Sequence, residues 1–312
     1  MPRTSSTVLI GYDGSEDAGA AIRAAGRVLG PRRAIVAFVW NSLAELLLNT
    51  DIDTMYEPLR KPAQELDEED RTEAAAVATQ GAELASEAGL DAIPVVARGK
   101  PKAWPTLLAL ADEHDAAAVV VGSRGLGGVK SALFGSVSSG ILDHAHRPVM
   151  VVPPLDDDPP SGPLLAGYDG SEQAGAAIEA AGHLSSVREM LVATVWLSCL
   201  ETAAAGVAGM PAGVALAGAQ AIDAEVSAAA ERTADQGAEL AATCGLEARA
   251  EVLAGQGNVW STLFHVAEDR RASAIVLGSR GRSAFAANVL GSVSRALVHH
   301  ARAPVLVVRT PR

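Results

Sequence analysis

Two stretches of this chain set residues able to hold an anion at identical spacing. The first, residues 117–141, reads AAVVVGSRGLGGVKSALFGSVSSGI; the second, residues 274–297, reads AIVLGSRGRSAFAANVLGSVSRAL. In each, a buried-strand-like apolar run ends in Gly, two residues, Gly, nine residues and Gly-Ser: Gly122, Gly125 and Gly135-Ser136, then Gly278, Gly281 and Gly291-Ser292. Glycine without a Cβ can take positive φ and lets backbone N–H groups approach a ligand, and a helix starting at the Gly-Ser would add unsatisfied N–H groups and about half a positive charge. Charge-assisted hydrogen bonds of roughly 1.5–3 kcal/mol each, three or four together, reach about 8 kcal/mol, which is micromolar affinity without a dedicated basic residue. Ser136 and Ser292 can cap that helix or donate to a phosphate. Arg124 and Arg280 can reach phosphate oxygens as fixed cations, or sit as solvated loop arginines.

One carboxylate accompanies each cradle. Gly11-Tyr12-Asp13-Gly14-Ser15-Glu16 recurs as Gly167-Tyr168-Asp169-Gly170-Ser171-Glu172. Asp13 and Asp169 can accept hydrogen bonds from ribose hydroxyls or a base N–H but would repel phosphates, so any phosphates must lie toward the glycine loop.

The elements that must position these groups are also duplicated. The differences 169 − 13 and 278 − 122 both give 156, and Trp40 with Trp196, Trp104 with Trp260 and Pro148 with Pro304 keep that offset. Two copies of one domain follow, at residues 1–153 and 164–312, joined by a proline- and acid-rich linker at 154–163. Hydrophobic periodicity and cap residues predict strands at 7–12, 34–40, 92–97, 117–121 and 148–152, with helices at 17–29, 66–88, 103–113 and 135–144. The second copy repeats them as strands at 164–168, 191–196, 248–253, 274–277 and 304–308 and helices at 172–184, 222–243, 259–268 and 291–300. Alternation of this kind predicts an α/β fold: two tandem, doubly wound, Rossmann-like domains, each with a five-stranded parallel sheet in the order 3-2-1-4-5. Ligands bind such sheets at the carboxyl ends of the strands where the winding reverses, here between strands one and four, which sets Asp13 beside Gly122 and Asp169 beside Gly278.

Neither a P-loop nor a Gly-x-Gly-x-x-Gly fingerprint is present. A phosphate loop after strand four, an Asp ending strand one and the Gly-x2-Gly-x9-Gly-Ser spacing instead resemble the universal stress protein family, over nearly the whole chain and as a tandem pair. The resemblance to its ATP-binding branch implies roles position by position. Asp13 and Asp169 would contact the nucleoside, beside the backbone at Gly11 and Gly167. Val39 and Val195 would read the adenine edge through their backbone. Val121, Gly122, Gly125, Gly135, Ser136, Val137 and Ser138, matched by Leu277, Gly278, Gly281, Gly291, Ser292, Val293 and Ser294, would hold ribose and phosphates. The ligand implied is ATP, with or without Mg2+, and the residues themselves do not separate ATP from ADP or AMP. The resemblance further implies edge pairing of fifth strands, giving an intrachain pseudo-dimer, and allows a homodimer.

Several function classes are disfavoured. A formal net charge of −12 repels polyanions, so nucleic acid is not an expected partner. Residues 202–222 contain no charge, but they are mostly alanine and glycine with Pro211 inside, and they align with the polar residues 49–66, so both read as an excursion between a strand and a long helix and no membrane partner is expected. With no signal-peptide pattern, a cytoplasmic location is expected. Cys199 and Cys244 show no pairing motif. His144 and His300 share the offset and fall in a last helical turn, where a cation meets the negative end of the dipole; His114, His146, His183, His265 and His299 show no repeated metal spacing, so no metal site is expected. With no catalytic triad or paired carboxylates, the expected function is nucleotide-binding regulation with at most slow ATP hydrolysis. The alternative is an adenine-nucleotide-using α/β enzyme, such as an adenylating ligase, whose Ser-Gly-Gly-x-Asp-Ser or His-x-Gly-His signatures are missing.

Overall fold

The computed structural model describes residues 7–40, 60–99, 102–125, 134–155, 159–198, 212–255, 258–281 and 290–309. The chain divides into two units, Met1–Leu155 and Asp156–Arg312. The first runs β1 (Val8–Gly11), α1 (Glu16–Leu29), β2 (Arg33–Trp40), α2 (Arg60–Glu87), β3 (Asp91–Arg98), α3 (Trp104–Glu113), β4 (Ala118–Gly122), α4 (Ser136–His144) and β5 (Val149–Val152). The second runs β6 (Gly162–Gly167), α5 (Glu172–Leu184), β7 (Glu189–Leu197), α6 (Ala212–Thr243), β8 (Glu247–Gly255), α7 (Val259–Asp269), β9 (Ala272–Gly278), α8 (Ser292–His300) and β10 (Val305–Val308).

Within the first unit the strands lie in the order β3-β2-β1-β4-β5, and within the second β8-β7-β6-β9-β10. Neighbours within each unit are parallel. The central strands are apolar on both faces because helices cover both: Leu9, Ile10, Ile35 and Met150 are fully buried, each contributing about 1.5–3 kcal/mol. α1 and α2 pack together on one face of the first sheet, α3 and α4 on the other. Pro94 lies within β3, an edge strand, where the missing N–H costs no ladder bond on the open side.

Helix ends follow local chemistry. Ser15 caps α1 by accepting from the Ala18 N–H at 3.1 Å, with Glu16 and Asp17 in the first turn facing the positive end of the dipole. α2 ends at Gly89, whose φ of +85° and the Leu90 N–H to Ala85 carbonyl bond of 2.9 Å close the last turn. Alanine and glycine on α1 allow close approach: a Cβ on Gly26 would lie 2.2 Å from the Ala88 carbonyl oxygen.

Of the boundaries that differ from expectation, three have a local cause. α2 begins at Arg60, six residues before the expected start, and α6 begins at Ala212, ten residues early and directly after Pro211. Residues 60–66 and 212–222 are therefore helical. In the second copy alanine is the strongest helix former and Pro211 just ahead suits a helix start, but the uncharged stretch shows no polar face by which the period can be read; in the first copy Pro62 sits within the first turn, where a proline is tolerated. The rest of the expected excursions, residues 49–59 and 202–211, lies outside the described residues. β6 begins at Gly162, so Gly162 and Pro163 belong to the sheet and not to the linker. The Gly162 N–H donates to the Arg271 carbonyl at 2.7 Å, and a Cβ there would meet the Arg270 carbonyl at 2.2 Å.

Candidate functional site

β1 and β4 are neighbours with Ile10 opposite Val120. The chain leaves them in opposite senses, toward β2 and toward β5, and a crevice opens at their carboxyl ends. A cavity of ≈ 360 Å³ occupies it in the first unit and one of ≈ 310 Å³ in the second. All of the expected site residues line these cavities: Gly11, Asp13, Val39, Val121, Gly122, Arg124, Gly125, Gly135, Ser136, Val137 and Ser138 in the first, and Gly167, Asp169, Val195, Leu277, Gly278, Arg280, Gly281, Gly291, Ser292, Val293 and Ser294 in the second.

At one end stands the aspartate. Asp13 Oδ1 accepts from the Ser15 N–H at 3.1 Å and from the Ser15 hydroxyl at 2.6 Å, so the residue that caps α1 also orients the carboxylate. Asp169 Oδ1 accepts from the Ser171 N–H at 3.0 Å. The other oxygen points across the crevice at the glycine loop. A Cβ on Gly125 would sit 2.3 Å from Asp13 Oδ2, and one on Gly281 2.5 Å from Asp169 Oδ2.

This corrects the reason for the loop glycines. None of Gly122, Gly125, Gly135, Gly278, Gly281 or Gly291 has positive φ; their missing side chains serve close approach instead. A Cβ on Gly122 would lie 3.0 Å from the Asp17 carbonyl oxygen, and one on Gly278 2.8 Å from the Gln173 backbone. Gly11 accommodates Val121 and Leu107.

At the other end are the N-termini of α4 and α8. Of the two roles open to Ser136 and Ser292, capping does not hold. Gly135 and Gly291 are the cap residues, without any side-chain cap bond, and the serines are the first helical residues. A glycine in the cap position leaves first-turn N–H groups without a side-chain acceptor, and residues of that turn line the crevice. Ser138 and Ser294 are buried and turned inward. The Ser138 hydroxyl lies 3.0 Å from both the Ser123 and Gly135 carbonyls, and Ser294 donates to the Gly278 carbonyl at 2.7 Å. Their hydroxyls tie helix to strand, so any ligand contact at these positions falls to the backbone.

Arg124 is not a solvated loop arginine. Its Nε donates to Asp17 Oδ2 at 3.1 Å, with the arginine side chain 35% and the aspartate 20% exposed. Farther along the loops the two copies differ in sequence, with Ser283, Ala284 and Ala286 where the first has Gly127, Gly128 and Lys130, positions that lie outside the described residues.

Several lining residues were not anticipated: Tyr12, Ala18, Ala37, Leu107 and their counterparts Tyr168, Ala174, Ala193 and Leu263, with Ala103 facing the crevice in one copy and Val259 in the other. Their signal was the same 156-residue offset. Tyr12 is packed against α2 at Gly81, where a Cβ would meet its ring at 2.5 Å. Burial pushes its phenol up from the ordinary value; Asp13 adds to the rise and Arg23 opposes it.

The expected last-turn histidines occupy that turn and do more than face the dipole. His144 stacks on Trp104 with centroids 4.2 Å apart, and His300 on Trp260 at 5.1 Å. Each stack joins the helix behind the crevice floor to the helix whose N-terminus forms it. Among the described residues no group of three or more His, Cys, Asp or Glu could hold a metal ion, and no helix is long and apolar enough to cross a membrane.

Comparison with known proteins gives the same duplication. The family model described as the universal stress protein family matches residues 4–153 and again residues 161–309. A universal stress protein of Mycobacterium tuberculosis (strain H37Rv) is 33% identical over 215 residues, covering 67% of this chain and 63% of its own length. A second from the same strain is 31% identical over 211 residues, covering 66% of this chain and 65% of its own. The chain thus spans less than two thirds of the length of the curated relatives it matches. The crystal structure of a universal stress protein from Archaeoglobus fulgidus has a TM-score of 0.59 at 20% identity, over 98% of this chain and 99% of that one, a likeness of fold.

Proposed function

The chain belongs to the universal stress protein family, and on that premise we propose that each unit binds one adenine nucleotide, ATP with Mg2+ as its counter-ion, as a regulatory ligand of a cytoplasmic stress-response protein. The observation that carries this reading is the pairing, found in both units, of a helix N-terminus without a side-chain cap and an aspartate oxygen aimed at a glycine with no room for a Cβ. A cradle of N–H groups suits phosphates, and the aspartate at the far end suits ribose hydroxyls or base N–H groups. Val39 and Val195, near the ends of β2 and β7, line the apolar part where a base would lie.

Among the described residues lining each cavity, the ionisable side chains are one aspartate, one arginine and one tyrosine. That set supports binding with at most slow hydrolysis over an adenylating enzyme, which must also activate a second substrate. The test is to heat-denature purified full-length protein and analyse the supernatant by ion-exchange chromatography. Adenine nucleotide near two equivalents per chain, reduced by about half in Asp13→Ala or in Asp169→Ala, is expected. Nucleotide-free supernatant, together with no binding of added ATP, would overturn the reading.

A further inference from the structure

β3 is the outer strand of the first unit and β8 of the second, and among the described residues no strand lies beyond either. The Glu247 N–H donates to the Arg188 carbonyl at 2.8 Å, and β8 runs parallel to β7. In a parallel ladder a residue turns both backbone groups to one side and the next residue turns both to the other. Glu247, Arg249, Glu251 and Leu253 therefore bond β7, while Ala248, Ala250, Val252 and Ala254 direct their N–H and C=O groups outward. The Asp91 N–H donates to the Arg32 carbonyl at 2.9 Å, so the same parity in β3 points position 94 outward. That position is Pro94, which has no N–H to offer. Its match at the 156-residue offset is Ala250, which is exposed and has one. Proline on an edge strand blocks the addition of a further strand, and the second unit lacks that block.

We propose that the outer edge of β8 is a self-association surface, on which β8 of a second copy of this chain adds antiparallel about a twofold axis at Ala250. Two identical edges related by a twofold axis run antiparallel. Centred on Ala250, the pairing sets Ala250 against its own copy and Ala248 against Val252, and the residues of each pair exchange both outward backbone bonds. Charge selects this register. Arg249 and Glu251 stand on one face of β8, the first exposed and the second half-buried. About Ala250, Arg249 of each copy lies directly opposite Glu251 of the other, at the closer of the two antiparallel spacings. Moving the axis by one residue either way would set Arg249 or Glu251 against its own copy. Arg270 holds Glu251 in place, its Nη2 donating to Oε1 at 3.0 Å. The matching positions of β3 are Ile93 and Val95, which carry no charge to fix a register. The association does not depend on whether the clefts are filled.

The experiment is sedimentation velocity of the full chain over a series of concentrations, beside three variants. The natural chain is expected to show a monomer–dimer equilibrium. Ala250→Pro should abolish it without lowering Tm, because the N–H it removes points away from β7 and the first unit carries proline at the matching place. Arg249→Glu and Glu251→Arg, each alone, should weaken the dimer by about tenfold or more, since each sets like charges opposite one another on both sides of the axis. Mixed in equal amounts, those two variants should pair with each other at near the natural affinity, because every cross-strand pair is again Glu opposite Arg. Should Ala250→Pro unfold, the charge variants alone decide. A natural chain that stays monomeric at every concentration overturns the inference. So does a dimer that the folded variants leave intact, which would use another face, and so does a mixture that fails to recover.

Discussion

At the scale of single residues, the clefts depend on what is missing more than on what is present. Gly125 and Gly281 each stand where a methyl group would strike an aspartate oxygen, whereas a methyl on Gly26 would strike the backbone of residue 88. The first kind of clash can be relieved by turning a carboxylate; the second requires a helix to shift. Gly125→Ala is therefore expected to weaken nucleotide binding in the first cleft by about tenfold or more, the loss of one charge-assisted hydrogen bond, with less than about 1 kcal/mol lost in stability. Gly26→Ala should cost about 1–3 kcal/mol of stability and spare the nucleotide contacts. Denaturant unfolding and titration on both variants separate the two; equal stability loss would contradict the distinction. The glycine spacing was legible in the sequence. Its reason was not, because spacing alone does not distinguish a positive φ from close approach of another segment. The same limit applied to Ser136, where only the helix geometry shows Gly135 in the cap position.

At the scale of elements, the strands and the helices with clear caps were legible because alternation, Ser15 and Gly89 punctuate them. The start of α6 was not, since its alanine-rich turns carry helix propensity without an amphipathic stripe, nor that of α2, where Pro62 and the charged residues around it read as part of a polar excursion. Nor was the Trp–His stack, which depends on two helices meeting face to face: Gly140, whose Cβ would sit 2.3 Å from Trp104, allows the tighter stack of the first unit, and Ala296 occupies the matching place in the second. The last turn of α8 carries a further consequence. Burial lowers the pKa of His299 from the ordinary value, and His300 and Arg295 lower it further. The unfolded chain then binds a proton at about pH 6.5 that the folded chain takes up only at lower pH. Stability contributed by neutral His299 is thus full above that pH and lost as the pH falls toward the folded value. His299→Gln should flatten the fall of Tm between about pH 7 and pH 5, and an unchanged slope would place the acid sensitivity elsewhere.

At the scale of the whole molecule, duplication is the dominant fact. Every described lining position of one cleft, with few exceptions, recurs in the other at the same offset. The repeat also made the two-copy architecture legible from the amino-acid sequence alone, since a constant offset over Asp13, Trp40, Gly122 and Pro148 has no simpler cause.

The central claim, that each unit carries a nucleotide cleft built on its aspartate and glycine loop, is tested most directly by the stoichiometry of ATP binding to the full chain in isothermal titration calorimetry. Two equivalents per chain are expected for the natural sequence, one for Asp13→Ala or Asp169→Ala, and none for the double variant. Undiminished binding by the double variant, or no binding by the natural chain freed of co-purified ligand, would contradict it.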